Sequence, residues 1–420
     1  MMRLSCGLSL CVWVAAVVQV QAQAQPSATL ALPAEVRWSD VLPLVHQRSP
    51  RVQALRSQDA TAQAEIGVAG VRPNPSLGYT GFARLGHGDN YGTQHQIGFE
   101  QPLWLAGQRS ARVRSAEHRA QAVRAETLLS EAEIGRDALH AFVSLLATQA
   151  RFDELTAARA DVAAVSHTVH ERVSAGAQSS YDEKRVDLES AQLDTRLSSA
   201  SAELIDASTS FAQVLGLPGW KPRAVGTFEP LSIDANPETL WQQAQTALPA
   251  LVAAQRHVDS ARSEIDLART ERWGELTVSG GTFLTSDKGS VSAFLGVSAP
   301  LPLFNFGGAA IDRAQAGLAQ TEAERAAARA EAQAALLGAT AVLVARRTAL
   351  AGYDSAVLQR LPELRKMAED AYKSGKASLL ELLDSVRSNI DVRLQRVDLV
   401  SAVMTAEVDV LAAAGLLQNK

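Results

Sequence analysis

Every structural landmark of this chain occurs twice, about 199 residues apart. Pro50 answers to Pro249, Gly107 to Gly307, Gly176 to Gly375 and Gly216 to Gly415, at spacings of 199, 200, 199 and 199. So small a drift marks a tandem duplication of one structural unit. Residues 37–216 and 236–415 carry the same series: a Pro-marked helix start, a strand pair, a Pro-then-Gly turn, a long Ala-rich helical stretch and a Gly-centred break. A unit of two strands and two very long helices cannot bury itself alone.

From Leu103 to Leu217, 115 residues, there is no proline, although the chain has 15 and seven fall between Pro26 and Pro102. Proline removes a helix hydrogen bond and clashes with the preceding turn, so its absence permits near-continuous helix. Apolar or small residues recur at sevens: Ile134, Ala141, Thr148, Leu155, Val162 and Val169, then Val186, Leu193, Ala200, Ala207 and Val214. The second half repeats this with Leu336, Leu343, Leu350, Val357, Leu364 and Ala371, then Leu383, Ile390, Val397, Met404 and Leu411. A strict heptad holds one seam against a partner helix. The breaks Ala175 to Ser179 and Ser374 to Ser378 are short, which makes each half an antiparallel hairpin with glycine at its tip. From Gly107 to Ser174 the first arm would span about 100 Å, so the hairpins must project or pack beside copies of themselves. Pro362, thirteen residues before Gly375, predicts a bend in its helix.

Strands are expected at 76–85 and 93–101, and at 275–284 and 291–299, ended by Pro102 and by Pro300 and Pro302. In the last of them Val291, Ala293, Leu295, Val297 and Ala299 alternate with Ser292, Phe294, Gly296 and Ser298. Segments of that length cross a bilayer when tilted, and a buried soluble sheet would alternate in the same way. Four strands cannot close a barrel; three copies would supply twelve and leave no open edge. Trp104, Phe304 and Phe306, in the turns into the long helices, suit a membrane-water boundary or a hydrophobic staple. Residues 217–237 hold four prolines and form an irregular connector.

Arg3, an apolar run from Leu8 to Val20 and Ala22-Gln23-Ala24 read as a signal peptide over residues 1–24, with the mature chain starting near Gln25. Both cysteines, Cys6 and Cys11, lie inside it, so neither a disulfide nor a thiolate metal site is expected, and bulky Leu10 before Cys11 argues against lipidation. Losing Arg3 moves the formal charge from −5 to −6, against a general nucleic-acid binder. The organisation expected is a first repeat at 25–216, a connector at 217–236, a second repeat at 237–416 and a tail at 417–420.

These residues resemble the TolC family of outer-membrane channels, across nearly the whole mature chain. The likeness rests on the duplicated order, on Arg72-Pro73-Asn74-Pro75-Ser76-Leu77 leading into the first strand, on Gln101-Pro102-Leu103-Trp104-Leu105-Ala106-Gly107-Gln108-Arg109 leading out, and on the two Gly-centred tips. Within the family the chain looks most like the cobalt-zinc-cadmium (CzcC-type) partners of heavy-metal pumps, although Ala106 and Gln108 replace that subgroup's usual glycine and lysine. The resemblance implies a mainly α protein with transmembrane β: a homotrimer whose four strands per chain make a twelve-stranded barrel, continued by a long coiled-coil α-helical barrel. It implies an inner-membrane resistance-nodulation-division pump and a periplasmic adaptor as partners, outer-membrane lipid as surroundings, and neither cofactor nor active site. Adaptor docking would map to Val173, Ser174, Ala175, Gly176, Ala177 and Gln178 and to Lys373, Ser374, Gly375, Lys376 and Ala377. Gate candidates are Asp182, Tyr372, Glu381 and Asp384. Position 377 is alanine where a basic lock residue often occurs, so a closing network would be weaker or would use Lys376 or Arg387 instead. Physically, three copies of Glu381 and Asp384 around one mouth would favour cations; without a trimer they are solvated helix charges.

His167 and His170, followed by Glu171, are weak metal candidates, because one helix turn offers at most two of the four ligands a tight site wants. His87, Asp89 and His95 cluster at an outer loop. No phosphate loop or nucleophile-base string occurs, which argues against an enzyme. Competing readings are a channel for drugs or for type I protein secretion, a periplasmic coiled-coil adaptor or scaffold, and a soluble metal binder. The adaptor fits poorly because it normally has one hairpin, and the metal binder because the 8 His are scattered.

Overall fold

The structure is a computed structural model that describes residues 32–83, 93–285 and 290–417. The expected signal segment, His87 and Asp89 lie outside the described residues, as do positions 84 and 85 of the first expected strand. All elements belong to the unit that begins at Ala34. In the first half a short strand β1 (Glu35–Val36) precedes helices α1 (Trp38–Arg48) and α2 (Pro50–Gly70), strands β2 (Ser76–Ala83) and β3 (Thr93–Leu103), and the long helices α3 (Gln108–Ser174) and α4 (Ser180–Leu215). Strand β4 (Arg223–Ala224) lies in the connector, and the second half follows with α5 (Pro237–Ala247), α6 (Pro249–Glu271), β5 (Leu276–Thr285) and β6 (Ser290–Ser298). Helix α7 (Gly308–Ala356), a 3-10 turn at Leu358–Arg360, α8 (Leu361–Lys373) and α9 (Leu379–Ala413) complete it. Pro50 and Pro249 stand in the first turn of α2 and α6, where a missing N–H costs nothing.

The proline-free stretch does become helix, 67 residues in α3 and 36 in α4. Its heptads form the seam: Leu155, Val162, Leu193 and Ala200 pack with Val386 and Ile390 of α9 in one buried cluster. In the second hairpin the sevens fail after Leu350. Leu364 is 57% exposed, whereas Leu361 and Tyr372 are buried. The seam steps by eleven there, because the 3-10 turn and Pro362 interrupt the helix and an inserted four residues shifts the phase of a heptad. The bend expected from Pro362 is thus a full break.

Both hairpins turn in the same way. The N–H of Ala177 donates to the Arg172 carbonyl (2.8 Å) and that of Gly176 to Val173 (2.9 Å); Lys376 to Ala371 (2.8 Å) and Gly375 to Tyr372 (3.1 Å) repeat the pattern 199 residues on. The pairing needs a left-handed residue, and Gly176 (φ 73°) and Gly375 (φ 72°) supply it.

The sheet runs β2-β3-β5-β6, antiparallel throughout, so the two strand pairs join through β3 and β5. Pro102 does not end β3. It pairs opposite Thr277, beyond the point where β2 has stopped at Ser76 opposite Glu100, so proline sits where β3 has a partner on one side only. Register places Leu77, Tyr79, Ile97, Phe99, Val278, Leu284, Val291, Leu295 and Val297 on one face and mostly Ser, Thr, Gln and Gly on the other. The apolar face is uncovered in the protomer, and Leu295 is 81% exposed.

The connector is less irregular than its prolines suggested. Arg223 and Ala224 pair in parallel with Glu35 and Val36, tying the start of the chain to the midpoint. Beside this small sheet Trp38, Phe142, Phe211 and Trp220 form a chain of ring contacts with centres 5.6 to 6.1 Å apart, T-shaped at Trp38–Phe142 and Phe142–Phe211 and tilted at Phe211–Trp220. Deeper still, Glu407 is 0% exposed; it accepts from Arg347 (2.7 Å) and from the Leu231 N–H (2.6 Å), while Arg347 also donates to the Leu231 and Ile233 carbonyls.

Candidate functional site

Two regions of the fold carry the candidates: the hairpin tips and the sheet. At each tip a serine caps the outgoing helix, Ser179 accepting from the Tyr181 N–H (3.1 Å) and Ser378 from the Glu381 N–H (3.3 Å). Asp182 and Glu381 both stand third in their helices, at the positive end of the helix dipole. Glu381 accepts in return from the Ser378 N–H (2.7 Å), closing a capping box, and Asp182 accepts from Gln178 (2.9 Å). Asp384 lies one turn beyond Glu381 and is exposed. The tip residues Ser174, Ala175, Gly176, Ala177, Lys373, Ser374, Gly375 and Lys376 are exposed, with Val173, Gln178 and Ala377 half-buried.

Tyr372 lies in the cluster that glues the hairpins together, 4% exposed, among Val169, Val186, Leu379, Leu382 and Leu383. Its hydroxyl is buried and makes no hydrogen bond. Sequence reasoning missed the residue that contacts it. Arg172 of α3 places its guanidinium 4.8 Å from the Tyr372 ring centre and donates to the last carbonyls of α8, Tyr372 (3.4 Å) and Lys373 (3.0 Å). A cation over an aromatic face and at a helix C-terminus is favourable on both counts. The spacing of Arg172 and Tyr372, 200 residues, held a signal, because the duplication places them at matching helix ends.

Further up, arginines join the hairpins side to side. Arg365 of α8 makes a bidentate contact with Asp161 of α3 (2.8 Å twice) and reaches Glu369 (2.8 Å). Arg387 of α9 meets Glu189 of α4, with Nε at 2.7 Å. The hydrogen bonds to Asp161 and Glu369 raise the Arg365 pKa, and that to Glu189 raises the Arg387 pKa, with Asp384 and Asp391 adding their charges. Arg387 thus pairs within the protomer, and Asp384 faces it electrostatically.

His167 and His170 do not converge. His167 pairs with Glu171 (3.2 Å) and His170 crosses to Glu183 of α4 (3.0 Å). His95 is bound by the Tyr79 hydroxyl (2.7 Å). Among the described residues no group of three or more His, Cys, Asp or Glu could hold a metal.

At the junction of sheet and helices, Trp104 donates to Glu275 (2.7 Å) with Arg112 over its ring at 4.3 Å, and Gln108 donates to the Gly274 carbonyl (2.8 Å), which stitches one repeat to the other. Phe304, by contrast, is 98% exposed, with Leu301, Leu303 and Phe306 also open.

Paired helical hairpins in tandem, each fed by a strand pair with one bare apolar face, define the protomer class of an α/β channel. The outer membrane efflux protein family model matches residues 41–217 and again 240–416, and the chain belongs to that family. It is 26% identical over 296 residues, 70% of each chain, to the cobalt-zinc-cadmium resistance protein CzcC of Cupriavidus metallidurans. Its fold is similar to that of a membrane protein from Pseudomonas aeruginosa (TM-score 0.71, 18% identity, 90% and 93% of the two chains covered). The Campylobacter jejuni CmeC outer membrane channel is similar too (TM-score 0.73, 13% identity, 90% and 85% covered). The chain is an outer-membrane efflux channel of TolC type with a tandem-repeat fold, and both family and fold are those of channel proteins rather than enzymes. Members of the family are trimers that pair with adaptors and resistance-nodulation-division pumps.

Proposed function

We propose that this chain is the outer-membrane duct of a tripartite resistance-nodulation-division system, and that divalent heavy-metal cations are a cargo. The similarity to CzcC, whose name ties it to cobalt, zinc and cadmium, carries the cargo reading. The bare apolar sheet face supports the duct. Its large apolar residues lose nothing in lipid, whereas in water each forfeits about 1.5–3 kcal/mol of burial. The outer edges of β2 and β6 pair with no other strand among the described residues, and three chains joined edge to edge close twelve strands. The apolar middle of the second hairpin's long arm supports the same assembly: within Gly308–Lys373 a window of mean hydropathy 1.4 is only 22% buried in the protomer. Neighbouring subunits would cover it.

In this reading the chain conducts passively and the pump supplies energy. The tips at Val173–Gln178 and Lys373–Ala377 dock the adaptor. Three copies of Asp182, Glu381 and Asp384 ring the inner mouth and select cations, with Tyr372 and Arg172 fixing where the arms that lead into the tips stop. Cells with and without the gene decide the cargo. Loss of zinc, cadmium or cobalt tolerance with drug tolerance intact supports metal export; the reverse pattern overturns it.

A further inference from the structure

The polar face of the sheet is not uniform. Its register sets Gly78, Gly98, Gly281 and Phe294 in one row across the four strands. Three glycines leave a trough, and the Phe294 ring lies down in it: a Cβ on Gly281 would come within 2.7 Å of that ring, and one on Gly98 within 3.1 Å. Phe283 stands beside it, 5.0 Å between ring centres. Glu100 is exposed on the same face, two positions along β3 from Gly98, and among the described residues of these four strands it is the one Asp, Glu, Lys or Arg. Successive same-face residues of a strand are about 7 Å apart, so one bulky molecule can touch both the rings and the carboxylate.

We propose that this aromatic and carboxylate patch is a contact site for bulky lipophilic organic cations, one per protomer, on the inner wall of the assembled barrel. The proposal rests on the barrel reading, because only closure turns the polar face inward; it does not depend on metal as cargo. Aromatic faces attract cations that shed water easily, and a lone carboxylate adds charge without the several close oxygens or nitrogens that a divalent metal demands. Twelve strands about 4.8 Å apart and tilted about 40° enclose roughly 24 Å between backbone walls, so three such patches leave the lumen open. Each is a weak handhold, which suits a duct that must release what it binds.

The test uses the purified full-length channel in planar bilayers with tetraphenylphosphonium as the probe. Wild type should show concentration-dependent current block. Glu100→Gln should weaken that block about fivefold, and Phe283→Leu with Phe294→Leu, which keeps the packing but removes the π faces, about three- to tenfold. Raising potassium chloride from about 0.1 M to about 1 M should weaken it as well, through screening. Zinc ions should give no block that these variants alter. Absence of block in wild type, block unchanged in both variants, or zinc block lost in them would overturn the site. Absence of any channel current in wild type would instead sink the barrel reading on which the site rests.

Discussion

The Arg172 guanidinium, at the end of α3, the arm that leads into the first hairpin's tip, lies 4.8 Å from the centre of the Tyr372 ring at the end of α8, the arm that leads into the second's. It also donates to the Tyr372 and Lys373 carbonyls, so one side chain fixes where both arms stop. The exposed tip residues on either side therefore form one surface rather than two. Replacing Arg172 with Ala should cost about 1–3 kcal/mol locally. Amides of the second tip, Gly375 and Lys376, should exchange about five- to a hundredfold faster by hydrogen-deuterium exchange, with the sheet unaffected; unchanged exchange there would remove Arg172 from the account.

Tyr372 separates two roles by its hydroxyl. That oxygen is buried without a partner, so Tyr372→Phe should leave stability unchanged or raise it by about 1 kcal/mol in chemical denaturation. Resting conductance of the variant should match wild type. A leakier channel would mean that the hydroxyl locks the pore in a state other than this one.

Glu381 carries a structural duty and a proposed electrostatic one, and two substitutions divide them. Gln also closes a capping box, so Glu381→Gln with Asp384→Asn should lower cation preference in bilayers while the melting temperature holds. Ser378→Ala should do the opposite, costing about 1 kcal/mol with selectivity intact. Selectivity unchanged in the first variant would rule out an acidic ring at this mouth.

Glu407 is wholly buried and depends on Arg347. Arg347→Met takes the cation away from a buried carboxylate and should destabilise the protein by about 3–5 kcal/mol, whereas Arg347→Met with Glu407→Leu should recover much of it. Equilibrium denaturation of both variants measures the difference. Equal losses in the two would mean that the pair is not the anchor of the connector at Leu231 and Ile233.

Most of the fold was legible because its determinants are local and repeated. Proline-free length, heptads and glycines at 176 and 375 each act within one or two turns, and duplication doubled the signal. What escaped depends on contacts distant in sequence. The two-residue β1-β4 ladder has no pattern of its own, and Pro102 reads as a strand end unless the early stop of β2 is known. The eleven-residue step after Leu350 hid behind leucines at the expected sevens, since Leu364 is apolar yet exposed. At the tips the gate acids and Tyr372 stood out by their distance from glycine, but their partners did not. Only packing of one repeat on the other brings Arg172 to Tyr372, Glu189 to Arg387 and Asp161 to Arg365.

The most direct test of the account is the mass of the detergent-solubilised protein by native mass spectrometry. A particle of three chains is the predicted result, since the open edges of β2 and β6 and the bare arm of α7 all require neighbours. A single folded chain, stable as a monomer with its sheet edges intact, would contradict it.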